Sequence, residues 1–161
     1  MPRSLEAPGA SLLGLWRRFV RLPGGRRLFS FLLGRKVPYS GTLRAFVEVL
    51  EPGRARVRLR ERRRVRNHLR SVHAVALTNL GELATGLAVL TALPGGVRGI
   101  VTSLETSFSR KARGRLVVDA SWSLPPNVRL PADAVVEGVI RDEAGEEVAR
   151  VRATWLLDTV A

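Results

Sequence analysis

Glu82 is the only residue charged at neutral pH in the 21-residue run His73 to Leu93, HAVALTNLGELATGLAVLTAL. A carboxylate among apolar neighbours is costly to ionise, so its proton affinity rises. Such a group is suited to act as a general base or nucleophile. The competing reading is structural: Thr78, Glu82 and Thr85, at i, i+4 and i+7, would mark one narrow polar stripe facing solvent or an interface. Asn67 and His73 stand just upstream. Asn67 either orients a reacting water or caps a turn. His73 either serves as a base or begins the helix and hydrogen-bonds locally. His68 and His73 are the only histidines, and the chain has no cysteine. Disulfides, a thiol nucleophile, a Cys-ligated metal and a multi-histidine zinc site are therefore excluded, and no metal or redox-cofactor motif is present.

The other chemistry-bearing group is arginine. Nine arginines fall between Arg54 and Arg70, and only Lys36 and Lys111 among 27 basic residues are lysines. The net charge of +13 favours polyanionic partners: nucleic acid, anionic membrane or phosphate-bearing ligands. Guanidinium forks bind phosphate bidentately, so Arg64, Arg66 and Arg70, beside Asn67, are candidate phosphate-holding residues. A solvated sheet face with a basic loop explains the same run without a ligand. Aromatic residues for base stacking are scarce within it, which argues against nucleic acid.

These residues need elements to hold them. A length of 161 residues with 45% hydrophobic residues suits one domain with a real core. Leu12, Leu13, Leu15, Trp16, Phe19 and Val20 recur at helical spacing, and Pro23-Gly24-Gly25 stops that helix. A second, short helix is expected from Arg26 to Leu33, ending at Gly34. The two are basic and amphipathic, fit either to pack over a sheet edge or to lie on a membrane surface. From Leu43 the pattern alternates. Pro52-Gly53 reads as a turn, and Arg54 to Arg60 alternates strictly, putting four arginines on one face of a strand.

His73 to Leu93 is apolar nearly all round, with Ala76, Leu80, Leu83, Leu87 and Leu90 as its main stripe, extended by Val75, Val89 and Leu93. A helix of that kind is buried in a core or in a membrane, and the polar Thr78, Asn79, Glu82 and Thr85 favour a core. Strands are expected at 97–108, 115–124, 134–141 and 148–157, with Asp142 to Glu146 turning the last hairpin. The order predicts an α+β protein: an antiparallel sheet of about six strands wrapped around one long central helix, with N-terminal helices. Residues 1–40 form the expected helical extension and 41–161 the main domain. No run reaches the ~18 uninterrupted apolar residues of a membrane span. Arg17, Arg18 and Arg21 cut short the one faintly signal-like run, so a cytoplasmic protein is expected.

The block at the start of the long helix resembles the motif of phenylacetate-type thioesterases of the hotdog superfamily. There an Asn is followed six residues on by His-Gly, and an acid stands nine beyond the His. Here the matching residues are Asn67, His73-Ala74 and Glu82. Leu22 to Arg27, Val37 to Gly41, the block from Asn67 to Gly86, and Lys111 to Gly114 also resemble a bacterial family of uncharacterised hotdog proteins, DUF4442. That resemblance spans roughly residues 10–158. It implies a hotdog fold, a homodimer, with a tetramer as an alternative, and hydrolysis of an acyl thioester, usually acyl-CoA. It assigns the Ala74 N–H to polarising the carbonyl, Asn67 to orienting water or the acid, and Glu82 to the role of base or nucleophile. Arg64, Arg66, Arg70 and Arg110 would hold the CoA phosphates. Two departures stand out. Ala74 replaces the usual Gly, and the polar residue expected on the following strand falls near Ser107, Ser109 or Arg110 without a clear match. A non-catalytic acyl-CoA or lipid-binding protein is therefore the second reading, and an arginine-driven nucleic-acid or anionic-membrane binder the third.

Overall fold

A computed structural model describes residues 8–160; the first seven residues of the expected extension, and Ala161, lie outside them. Helices α1 (Pro8–Val20), α2 (Gly25–Lys36) and the short α3 (Pro38–Gly41) lead into the hairpin β1 (Phe46–Glu51) and β2 (Arg54–Arg60). The long helix α4 (Ala74–Ala92) follows. Four strands complete the chain: β3 (Val97–Phe108), β4 (Arg115–Ser121), β5 (Ala132–Arg141) and β6 (Glu147–Thr159). The six strands make one antiparallel sheet in the order β1-β2-β4-β5-β6-β3, with β1 and β3 at its edges. α4 packs against every strand. By length and composition it is the one described helix that could span a bilayer, but most of it is buried in the protein.

The expected elements are present, with shifted ends. α2 runs on through Gly34, because this residue packs against Gly41 of α3. β1 starts at Phe46 rather than Leu43: Leu43 is buried in a turn, and Arg44 takes φ +47°, which no strand residue adopts. β4 stops at Ser121, well before Pro125. In β2 the arginines point outward while Ala55, Val57 and Leu59 are fully covered, as strand alternation dictates.

The stripe of α4 that lies deepest is not the predicted leucine stripe. Leu80 and Leu87 are buried, but Ala76, Leu83 and Leu90 are only half-covered, and Val75 is exposed. The face turned to the sheet is Leu77, Gly81, Ala84, Thr85 and Ala88, mostly small residues that let the backbone come close. A Cβ at Gly81 would overlap the Val151 side chain of β6. α1 also lies against α4, and Trp16 meets Phe29 of α2 edge to face at 5.0 Å. Thr91 closes the far end of the helix. Its hydroxyl contacts the carbonyls of Leu87, Ala88 and Glu51 and accepts from the Gly53 N–H in the β1–β2 turn.

Gly81→Ala is expected to lower the unfolding free energy by about 1–3 kcal/mol, the usual cost of overpacking, measured by denaturant titration. An unchanged midpoint would mean that the helix and β6 can separate freely here.

Candidate active site at the start of the long helix

The loop before α4 is built around the Asn67 side chain. Its Oδ1 accepts from the Leu69 N–H (2.9 Å), the Ser71 N–H (3.2 Å) and the Ser71 hydroxyl (3.2 Å). Arg70, at φ +54°, lets this tight loop close. The same contacts leave the Asn67 amide N–H groups uncommitted by the loop. His73 then caps the helix: its Nδ1 accepts from the Val75 N–H at 3.1 Å, which places the proton of the neutral ring on Nε2. Of the two readings of His73, the structure places it as the cap. The Ala74 N–H has no acceptor among the described residues. An unpaired N–H at a helix N-terminus, aided by the helix dipole, stabilises a developing oxyanion.

Two clefts flank the beginning of α4, and a third meets it farther along. Asn67 and Ala74 share one of about 270 Å³ with Ser109, Arg110 and Lys111 beyond the end of β3. His73, Arg64 and Arg66 line a second, of about 740 Å³, with Arg44 and Asn79. A third, of about 560 Å³, lies under α2 and reaches Leu83. Arg70 and Glu82 line none of them. The predicted site residues therefore divide. Asn67, Ala74 and Arg110 come together; Arg64, Arg66 and His73 form a neighbouring group; Arg70 shapes the loop; and Glu82 stands apart, two turns along the helix.

Glu82 lies on the flank of α4 that faces β3 and β6. One turn earlier, the Thr78 hydroxyl meets the Thr106 hydroxyl of β3 at 2.9 Å. One turn later, the Trp155 ring of β6 packs on Gly86, 3.1 Å from where a Cβ would stand. Burial pushes the Glu82 carboxyl above the usual carboxylate range, and no charged or hydrogen-bonding partner among the described residues offsets it. The buried Trp155 N–H likewise has no acceptor among the described residues. Trp155 escaped sequence analysis, although its place in the inward register of the last strand was readable.

The arginines differ in how free they are. Arg66 is paired with Glu61 at 2.6 Å and Arg110 with Glu146 at 3.1 Å. The Gly114 N–H, and then Arg66, hold the Glu61 carboxyl below its usual range. Arg62 donates to the Thr42 and Leu43 carbonyls, and burial followed by the charges of Arg44 and Arg64 lowers its proton affinity. Arg44 and Arg64 have no ion-pair partner among the described residues.

A long helix packed against all six strands of one antiparallel sheet is the hotdog fold, the architecture of thioesterase-family proteins. The chain belongs to the DUF4442 family, a domain of unknown function whose profile matches residues 25–157. It is similar to a structural-genomics protein at 26% identity and TM-score 0.79, over 94% of this chain and 99% of that one. It is also similar to a Pseudomonas aeruginosa protein of unknown function described as a probable thioesterase. The identity is 29% and the TM-score 0.73, over 86% of this chain and 97% of that one. A thioesterase enzyme from Staphylococcus aureus shares the fold at 15% identity and TM-score 0.66, over 75% of this chain and 98% of that one. No curated protein matches the chain.

The raised proton affinity of Glu82 has a stability consequence. The folded chain holds this proton more tightly than the unfolded chain, so stability falls as pH rises from the ordinary value of 4.5 through the raised one. Glu82→Gln should therefore melt with wild type at acid pH and at a higher temperature at neutral pH. A Tm difference that does not change with pH would mean that the carboxyl is not desolvated.

Proposed function

We propose that the protein hydrolyses an acyl thioester, with acyl-CoA as the substrate, and that it acts as a homodimer in the cytoplasm. The observation that carries this reading is the unpartnered Ala74 N–H in the cleft it shares with Asn67. The thioester carbonyl oxygen accepts from that N–H, and the Asn67 amide orients the water. Glu82 takes a proton from the water as its oxygen adds to the carbonyl carbon. The tetrahedral intermediate then expels the thiolate, which takes the proton from Glu82 and leaves the carboxylate ready for the next turnover. Arg110 and Lys111 at the lip of the cleft suit the phosphates of CoA, with Arg64 and Arg66 on the neighbouring cleft.

Helix geometry supports the dimer in this reading. Eight residues separate Ala74 from Glu82, about 12 Å along the axis, too far for both to act on one carbonyl within a chain. A second copy supplies the missing acid. The flank beside Glu82 has the surface for it: β3 is an edge strand, and Val75, Leu104 and Phe108 are exposed there. The register of β3 sets Leu104 opposite Ala153 and Phe108 opposite Ala149, both buried, so these exposed side chains lie on the inner face of the sheet.

The second reading is acyl-CoA binding without turnover. The Ala74 methyl favours it, because it narrows the approach to the N–H.

Free-thiol release from short, long and aromatic acyl-CoAs separates the two. Wild type is expected to turn over, and Glu82→Gln to lose about 10²-fold or more in kcat/KM, as for loss of a general base. For wild type, kcat/KM should rise with pH as Glu82 loses its proton, with a midpoint above 4.5. Saturable binding with no thiol release would select the second reading, and full activity in Glu82→Gln would remove the acid from the mechanism. Leu104→Arg should convert a dimer into a monomer by light scattering and abolish turnover. A wild-type monomer with full activity would end the shared-site account.

A further inference from the structure

From residue 8 through residue 47 the chain carries eight basic residues and no acidic one. Seven of these cations belong to α1, α2 and the turn between them, and Arg44 follows α3. The same segment exposes large apolar side chains. Leu28, Phe31 and Leu32, at i, i+3 and i+4, share one stripe of α2, while Phe29 on another face is buried. Leu22 before the helix and Tyr39 after it extend this surface. Phe31 and Tyr39 keep 60% and 66% of their area in contact with solvent, which no packing role within the chain explains. The 560 Å³ cleft opens beside Phe31, with Arg27 and Arg35 in its wall and Leu83 reaching it from α4.

We propose that the outer face of α2, with the turns that flank it, seats the protein on an anionic lipid bilayer. Exposed Leu and Phe flanked by arginines are what an interfacial helix presents: the apolar side chains enter the boundary between headgroups and acyl chains, and the guanidiniums meet lipid phosphates. Charge selects this occupant over a second copy of the chain, because a pairing of α2 with α2 would bring together two sets of cations, each of Arg21, Arg26, Arg27, Arg35 and Lys36, with no acidic residue between residues 8 and 47 to offset them. The apolar stripe selects it over nucleic acid, where exposed aliphatic side chains find no partner. The Leu28–Phe31–Leu32 stripe lines neither the Asn67–Ala74 cleft nor the cleft of Arg64 and Arg66, so it stands whether or not the protein hydrolyses thioesters.

Co-sedimentation with vesicles of phosphatidylcholine alone, and of phosphatidylcholine mixed with phosphatidylglycerol, tests the proposal. Wild type is expected to bind the anionic vesicles at low salt and to leave the neutral ones in solution. Raising the salt to about 0.5 M should weaken binding, because it screens the arginines. The double variant Leu28→Ser, Phe31→Ser should bind at least about tenfold less, since both side chains lose their burial in lipid. Its Tm should match wild type, because both side chains are exposed. Absence of wild-type binding to anionic vesicles would overturn the proposal. So would a double variant that binds them as wild type does, since association would then be charge alone.

Discussion

The close approach of α4 to the sheet sets the rest of the structure. Gly81, Ala84, Thr85 and Ala88 keep that face thin, and Val151 fills the space where a side chain at position 81 would be. With the helix this deep, its two flanks have different fates. One is covered by α1 and lies near α2 and α3. The other, carrying Thr78, Glu82 and Gly86, is left between α4 and the edge strand β3. Glu82 owes its desolvation to that position, because the helix cannot move outward to give the carboxylate water without opening the packing along Gly81. Burial of a hydrophobic helix thus produces a perturbed acid.

The start of the helix depends on a different kind of constraint. Its polar backbone groups must be satisfied where the chain turns sharply into the core. The Asn67 carbonyl oxygen takes three donors from the loop, and His73 takes the Val75 N–H. The result is a rigid loop in which the Ala74 N–H remains open at a cleft. Asn67 and His73, which resemble positions of a catalytic motif, are also the side chains that hold the loop and the start of the helix together.

Much of the fold was legible because it rests on periodicity. The alternation from Arg54 to Arg60, and the apolar length from His73 to Leu93, each match what the structure contains. The errors fall where contacts between distant residues decide. Gly34 is a natural helix end, yet α2 continues past it because Gly41 packs there. Leu83 and Leu90 read as core, but a sheet that needs small residues draws Gly81 and Ala84 inward instead. At the site, the resemblance to the thioesterase motif pointed to Asn67, Ala74 and Glu82. It could not show that the Ala74 N–H opens on a cleft with Asn67 that Glu82 does not line, nor that Trp155, more than 60 positions beyond Gly86, packs on that glycine one turn past Glu82. Arg44 was invisible for another reason: a left-handed backbone at arginine leaves no mark in composition or periodicity.

The Thr91 hydroxyl joins the β1–β2 turn to the last turn of α4. It is in contact at once with the Gly53 N–H, the Glu51 carbonyl and two carbonyls of its own helix. None of these can be exposed to water while the others stay in place. The tip of the hairpin and the end of the helix therefore form one cooperative opening unit, although about 40 residues lie between them in the chain. Hydrogen exchange there would follow the opening of the core, not the fraying that hairpin tips usually show.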